Sequence, residues 1–103
     1  MAEAENLELG GNITLSGFKD IENREMIVLK KIIGNYVRRF RDHSGGYQGL
    51  KISMKTVHGE KKFELIGEVI LEKKKHNAEI TQPNLFMGID ELMKKLEAML
   101  SKD

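Results

Sequence analysis

The chain has 103 residues, of which 40% are apolar and 32% charged, with no cysteine and a formal net charge of +1. This length suits one domain with one modest core and is too short for two. The lack of cysteine excludes disulfides and thiolate metal sites, and no apolar run is long enough to span a bilayer. An acidic N-terminus is unlike a signal peptide. We therefore expect a soluble cytoplasmic domain.

The positive charge is concentrated in the middle of the chain. Between Met26 and His76 there are twelve Lys or Arg residues and five acids, a local excess of seven positive charges. Such a field attracts a polyanion. A well-solvated surface explains the same excess, so charge alone leaves both interpretations open.

The first elements are a leader, a strand and a helix. Residues 1–10 have no periodicity and carry three acids, which predicts a flexible acidic leader before a single domain at 11–103. Alternation over Asn12–Phe18 predicts a strand. Asp20 is then placed to cap a helix, with Glu22 in its first turn, and glycines at 45 and 46 predict its end. Its apolar stripe consists of Leu29, Ile32, Ile33, Tyr36, Val37 and Phe40.

Three strands and a second helix follow. Leu50–Lys55, Phe63–Leu71 and Asn77–Thr81 alternate apolar and polar residues, with turns near Gly59 and after Leu71. Pro83 breaks the sheet, and Asn84 is placed to cap the last helix. The apolar stripe of that helix consists of Leu85, Ile89, Leu92, Leu96 and Leu100, widened by Phe86 and Met93.

The order β-α-β-β-β-α predicts an α+β fold. Each helix has one apolar stripe, so both are expected on one face of a four-stranded sheet. The residues expected to be largely buried are Phe40, Phe63, Leu65, Ile89, Leu92 and Leu96.

No arrangement of residues predicts catalysis, a metal site or a cofactor. The histidines at 43, 58 and 76 fall in predicted loops or at element ends. Asp90 and Glu91 point about 100° apart on a helix, so they are interpreted as solubilising residues rather than an acid–base pair. Residues 46–49 match the GxxG loop of KH domains, but a strand pattern follows, which favours a helix-to-strand connection.

The first helix carries a cluster of cations opposite its apolar stripe. Four of them fall within an arc of roughly 100°, and Gly34 projects into its middle. Glycine inside a helix is unfavourable by about 1 kcal/mol relative to alanine. One interpretation is that Gly34 lets an RNA backbone approach the helix. The other is that Gly34 packs closely against another element or reflects neutral sequence drift, and both interpretations stay open. This basic arc consists of Lys30, Lys31, Arg38 and Arg41.

Further basic residues could extend the arc. If both helices lie on the same side of the sheet, cations of the last helix could join it in one patch. A lysine-rich loop could add another contact, although such loops are often merely soluble. These residues are Lys94, Lys95 and Lys102 on the helix and Lys73, Lys74 and Lys75 in the loop.

The chain resembles the ribosome hibernation-promoting factor family, also called ribosome-associated inhibitor A or sigma-54 modulation proteins. The residues from Asn84 to Leu96, with Ile89-Asp90 and Lys95-Leu96, look like the family's last helix. Residues 29–40 are similar to its first helix, and the likeness spans roughly residues 12–102. Basic positions that match the family are Lys30, Arg39, Lys94, Lys95 and Lys102.

The resemblance implies a fold like a double-stranded-RNA-binding domain and a small-subunit site over those of transfer and messenger RNA. It also implies inhibition of translation and protection of idle ribosomes. Ala98, where members often have a basic residue, and the acidic leader are departures. The dimerisation domain of the long form is absent, so pairing of ribosomes by that route is not expected.

The sequence therefore predicts a non-enzymatic protein that binds ribosomal RNA on the small subunit, with no membrane and no small-molecule substrate. One alternative is a general structured-RNA-binding domain. Another is a protein-interaction module that uses the open sheet face, where Ile66 and Ile70 are mildly apolar.

Overall fold

The computed structural model describes residues 7–9, 12–43, 46–57, 59 and 61–101. Within them, five strands and two helices follow one another along the chain. They are β1 (Leu7–Leu9), β2 (Ile13–Ser16), α1 (Asn23–His43), β3 (Tyr47–Val57), β4 (Lys62–Leu71), β5 (Lys75–Gln82) and α2 (Leu85–Ser101). From β2 onward this is the predicted β-α-β-β-β-α order, and the prediction of an α+β fold is confirmed.

The sheet is mixed, with the strands in the order β1-β2-β3-β4-β5. β2 pairs with β3 in parallel, and the other neighbouring pairs are antiparallel. Because parallel neighbours cannot be joined by a tight hairpin, α1 serves as the crossover between β2 and β3. The four predicted strands are therefore present, in an order that places α1 above the β2–β3 pair.

β1 is an addition to the predicted fold. It lies within the segment expected to be a flexible leader, and Leu7 pairs with Leu15 of β2. A three-residue strand is too short to give a periodic signal, which is why the sequence does not reveal it. The other residues of the leader lie outside the described part of the chain.

Both helices cover the same face of the sheet. Five of the six predicted core residues are at most 1% exposed: Phe40, Leu65, Ile89, Leu92 and Leu96. Phe63 is only partly buried, because it pairs with Thr56 and Gln82 at one end of the sheet. The core therefore centres on the middle of the strands, beneath the two apolar stripes.

Small residues bring α2 close to the sheet. Gly67 of β4 pairs with Ala78 of β5 beneath this helix. A Cβ at Gly67 would lie 3.0 Å from Cδ2 of Leu92 and 3.1 Å from Cδ1 of Leu96, tighter than ordinary contact. The glycine that interrupts the apolar pattern of β4 thus makes room for the leucines of α2.

The predicted helix caps have different outcomes. Asn84 does cap α2, since its Oδ1 accepts a hydrogen bond of 3.0 Å from the backbone N–H of Met87. The prediction for Asp20 is wrong, because α1 begins only at Asn23. The backbone N–H of Ile21 donates to the carbonyl of Phe18, so residues 18–21 form a turn before the helix starts.

The GxxG sequence lies where β3 starts. Gly46 precedes the strand, and a bulge falls between Tyr47 and Gly49. A KH loop would join two helices, so that alternative is rejected and the helix-to-strand connection is confirmed. Gly59 occupies the predicted hairpin turn with a φ of +85°, whereas His58 and Glu60 lie outside the described residues.

Candidate nucleic-acid interface

α1 has one side that faces α2. Tyr36 donates a hydrogen bond of 2.7 Å from its hydroxyl to Oδ1 of Asp90. One turn further, Arg39 binds both carboxylate oxygens of Glu97, at 2.8 and 3.1 Å. These contacts run in the same direction along both helices, so α1 and α2 lie side by side and parallel.

Asp90 is the centre of a small polar network between the helices. It accepts the Tyr36 hydroxyl and also forms an ion pair of 3.1 Å with Lys94, one turn later in α2. The hydrogen bond from Tyr36 and then that from Lys94 lower the pKa of Asp90. Burial and the neighbouring carboxylate raise the pKa of Tyr36 to about 12. Asp90 thus links the helices, and the interpretation that it only solubilises α2 is wrong.

Arg39 is committed to the same side of α1. Besides its two bonds to Glu97, its guanidinium lies 4.4 Å from the centre of the Tyr36 ring. A bidentate arginine stacked on an aromatic ring is held in one geometry. Of the predicted RNA-binding residues on α1, Arg39 is therefore the one that forms an ion pair with an acid among the described residues.

The basic arc lies on the other side of α1. Gly34, at its centre, and Arg39 are five residues apart and point about 140° away from each other. Within the described part of the chain, Lys30, Lys31 and Arg38 are exposed and form no ion pair. The arc thus faces solvent on the flank of α1 that α2 does not cover.

Arg41 connects the arc to one end of the sheet. Its guanidinium lies 5.8 Å from the ring centre of Tyr47, the first residue of β3. Tyr47 pairs with Leu71, the last residue of β4, so the turn between β4 and β5 lies at this same end. That turn carries the predicted cations Lys73 and Lys74, and β5 opens with Lys75.

The basic residues of α2 do not extend the arc into one patch. Lys94 is paired with Asp90, and Nζ of Lys95 donates a hydrogen bond of 3.2 Å to the backbone carbonyl of Glu79 in β5. Lys95 thus extends towards β5, the edge strand on the side of α2 away from α1. Both helices do lie on one face, but α2 approaches α1 from the side away from the arc. Lys102 lies outside the described residues.

The face of the sheet that no helix covers has balanced charge. Lys51 stands opposite Glu68, and Lys55 stands opposite Glu64, on the neighbouring strands β3 and β4. Ile66 is 41% exposed on this face and is surrounded by polar neighbours. We call this surface the open face; its central residues are Lys51, Ser53, Ile66, Glu68, Asn77 and Glu79.

The described residues form neither a membrane-spanning helix nor a cluster of metal ligands. No helix among them is long and apolar enough to cross a membrane. No group of three or more histidine, aspartate or glutamate residues in the same part of the chain is placed to hold a metal ion.

The polar network between the helices could not be found from the sequence. Tyr36 belongs to the buried stripe of α1, and Asp90 lies one turn before Lys94, an ordinary ion pair for an exposed helix face. Their contact joins residues that are 54 positions apart. Only the packing of α1 beside α2 brings them together.

Two solved structures share this fold over nearly the whole chain. The N-terminal domain of Thermus thermophilus Protein Y has a TM-score of 0.68 and 16% identity, over 93% of this chain and 98% of that one. A ribosomal subunit interface protein from Coxiella burnetii has a TM-score of 0.65 and 22% identity, over 88% and 92%. No protein-family model and no curated protein matches the sequence. At these identities the likeness establishes a common fold, as the resemblance in the sequence implied.

Proposed function

We propose that the protein is a cytoplasmic ribosome-binding factor of the hibernation-promoting type. It occupies the small ribosomal subunit through the basic arc of α1, whose cations contact phosphates of ribosomal RNA. Occupation of the decoding region inhibits translation or protects idle ribosomes, and no bond is made or broken. The shared fold with a ribosomal subunit interface protein supports the choice of partner.

The observation that carries this proposal is the set of exposed cations on α1 that have no acidic partner among the described residues. Arg38 and Arg41 are three residues apart, close enough on the helix surface to repel each other. A polyanion relieves that repulsion and releases its own counterions on binding. The ion pairs of the described chain lie elsewhere, so the arc is the surface with most to gain from phosphate contacts.

The two alternative functions, a general structured-RNA binder and a protein-interaction module, would use different surfaces of the protein. A general structured-RNA binder would use the same arc, and only a direct comparison of partners separates it from a ribosomal factor. An interaction module would use the open face, where Lys51 and Lys55 are already opposite Glu68 and Glu64. A single exposed isoleucine among polar residues is ordinary for a soluble surface. The charge distribution therefore favours RNA at the arc.

A matched pair of variants tests the proposal. Replacing Lys30 and Arg38 with glutamine removes two charges from the arc, and the same change at Lys51 and Lys55 removes two from the open face. Both variants have the same net charge. We expect the first to weaken binding to purified small subunits at least about tenfold and to reduce the salt slope by about two.

The open-face variant should bind as the wild-type protein does. If both variants lose affinity equally, binding depends on overall charge and the assignment to the arc is wrong. If the open-face variant alone loses affinity, the interaction-module alternative replaces the proposal. Circular dichroism of both variants confirms that the fold is intact.

A further inference from the structure

Gly34 lies in the middle of α1, and no other element among the described residues packs against it. A Cβ built on it meets nothing within 4 Å, so no other described element comes close enough to require a glycine. This removes close packing against the described elements as the explanation. Glycine is nevertheless among the least favourable residues in a helix interior. Its presence in the centre of the basic arc therefore needs another reason.

The neighbours of Gly34 give the position a distinctive shape. Lys30 and Arg38 lie one turn before and one turn after it, about 12 Å apart along the helix axis. Side chains widen a helix from a backbone radius of about 2.3 Å to about 5–6 Å, so the surface at a glycine is up to about 3 Å lower. Two cations thus flank a depression, which we call the Gly34 saddle: Lys30, Gly34 and Arg38.

We propose that the sugar–phosphate backbone of one RNA strand lies across the Gly34 saddle, against the helix itself. This inference rests on the proposed function and identifies the point of closest approach. Lys30 and Arg38 then contact phosphates on either side of the crossing. A side chain at position 34 would hold the strand up to about 3 Å further from the helix axis. The phosphates would then lie beyond the 2.7–3.2 Å at which Lys30 and Arg38 form hydrogen bonds.

Substitutions at Gly34 separate this role from neutral drift, because stability and binding should change in opposite directions. Gly34→Ala and Gly34→Gln should each raise the melting temperature by a few degrees, since both residues favour helix. Both should weaken binding to small subunits, by at least about fivefold for glutamine, with a salt slope lower by about one.

Asn35 provides the matched control. It is exposed one position further along α1, about 100° away from Gly34. Asn35→Ala and Asn35→Gln should also raise the melting temperature, but they add nothing to the saddle, so binding should not change.

The possible outcomes separate a failure of the Gly34 saddle as a binding site from a failure of the proposed function. If the Gly34 variants are stabilised and bind like wild type, the RNA backbone does not lie across the saddle, while the basic arc remains the proposed interface. If the Asn35 variants lose as much affinity as the Gly34 variants, the effect is not local to the saddle and the inference is overturned. If wild-type protein does not bind small subunits at low salt, the proposed function fails first.

Discussion

Tyr36 of α1 donates a hydrogen bond of 2.7 Å to Asp90 of α2, and this contact joins the two helices above the sheet. Its position has a functional consequence. Because α2 is held on the Tyr36 side of α1, the flank with Gly34 is left open to solvent. The same packing that completes the core therefore exposes the basic arc.

A double-mutant cycle measures this link. Tyr36→Phe and Asp90→Ala should each lower the free energy of unfolding, with a coupling of about 1–2 kcal/mol at neutral pH. The pKa of Asp90 is lowered by Tyr36 and Lys94. The stability from Asp90 is therefore present above pH about 4 and is lost as the pH falls through its lower folded pKa.

Chemical denaturation at several pH values checks this prediction, with Tyr36→Phe paired with Glu91→Ala as the control. Glu91 accepts a hydrogen bond from Gln82 rather than from Tyr36, so that pair should show no coupling. A Tyr36–Asp90 coupling that persists unchanged in strong acid would contradict the assignment.

Two adjacent arginines test how the contacts of α1 divide between structure and binding. Arg38 has no ionic partner among the described residues, whereas Arg39 is bound to Glu97. Arg38→Gln should weaken binding to small subunits with little change in stability. Arg39→Gln should mainly lower stability. Equal losses of affinity for the two variants would show that Arg39 leaves Glu97 to contact RNA.

Tyrosine titration tests the burial of both rings. Tyr36 and Tyr47 are the chain's two tyrosines, and burial is the main cause that raises each pKa to about 12. An unfolded chain releases these protons near pH 10. Because the folded state retains them, the free energy of unfolding should fall as the pH rises from about 10 to 12.

The absorbance of tyrosinate, followed in native and in denaturant-unfolded protein, checks this. Native protein should show almost no tyrosinate at pH 10, and Tyr36→Phe should leave a single late titration from Tyr47. A native tyrosine that ionises near pH 10 would mean that its ring is more exposed than the fold indicates.

Gly17 is the position in the described chain where a side chain should be least tolerated. Its φ is +84°, and a Cβ there would overlap the backbone carbonyl oxygen of Met54. Gly59 has a similar φ of +85° but open space around it. Gly17→Ala should therefore destabilise the protein by at least about 2 kcal/mol, and Gly59→Ala by less. Equal effects in thermal denaturation would show that backbone strain alone matters.

Local patterns predict most of this fold because its elements are long and regular. The stripe from Leu29 to Phe40 and that from Leu85 to Leu100 specify which face of each helix is buried. β1 could not be predicted, since three residues give no period. The sequence misplaces the start of α1 because Asp20 resembles a cap, whereas the turn that follows Phe18 depends on backbone hydrogen bonding.

The site is predictable only in part. Helix periodicity groups Lys30, Lys31, Arg38 and Arg41 on one flank, as the structure does. It cannot reveal on which side of α1 the second helix packs. That long-range contact binds Arg39 to Glu97, and the packing of α2 on the sheet turns Lys95 towards β5, away from the arc.

Sedimentation with purified small ribosomal subunits tests the central claim most directly. The protein should co-sediment in a one-to-one ratio at low salt, and its affinity should fall by orders of magnitude between about 50 and 200 mM salt if six or more phosphates are contacted. Initiator transfer RNA should displace it from the decoding region. Protein that remains at the top of the gradient at low salt would contradict the account; protein that binds but resists displacement would retain the ribosome as partner and exclude the decoding region as its site.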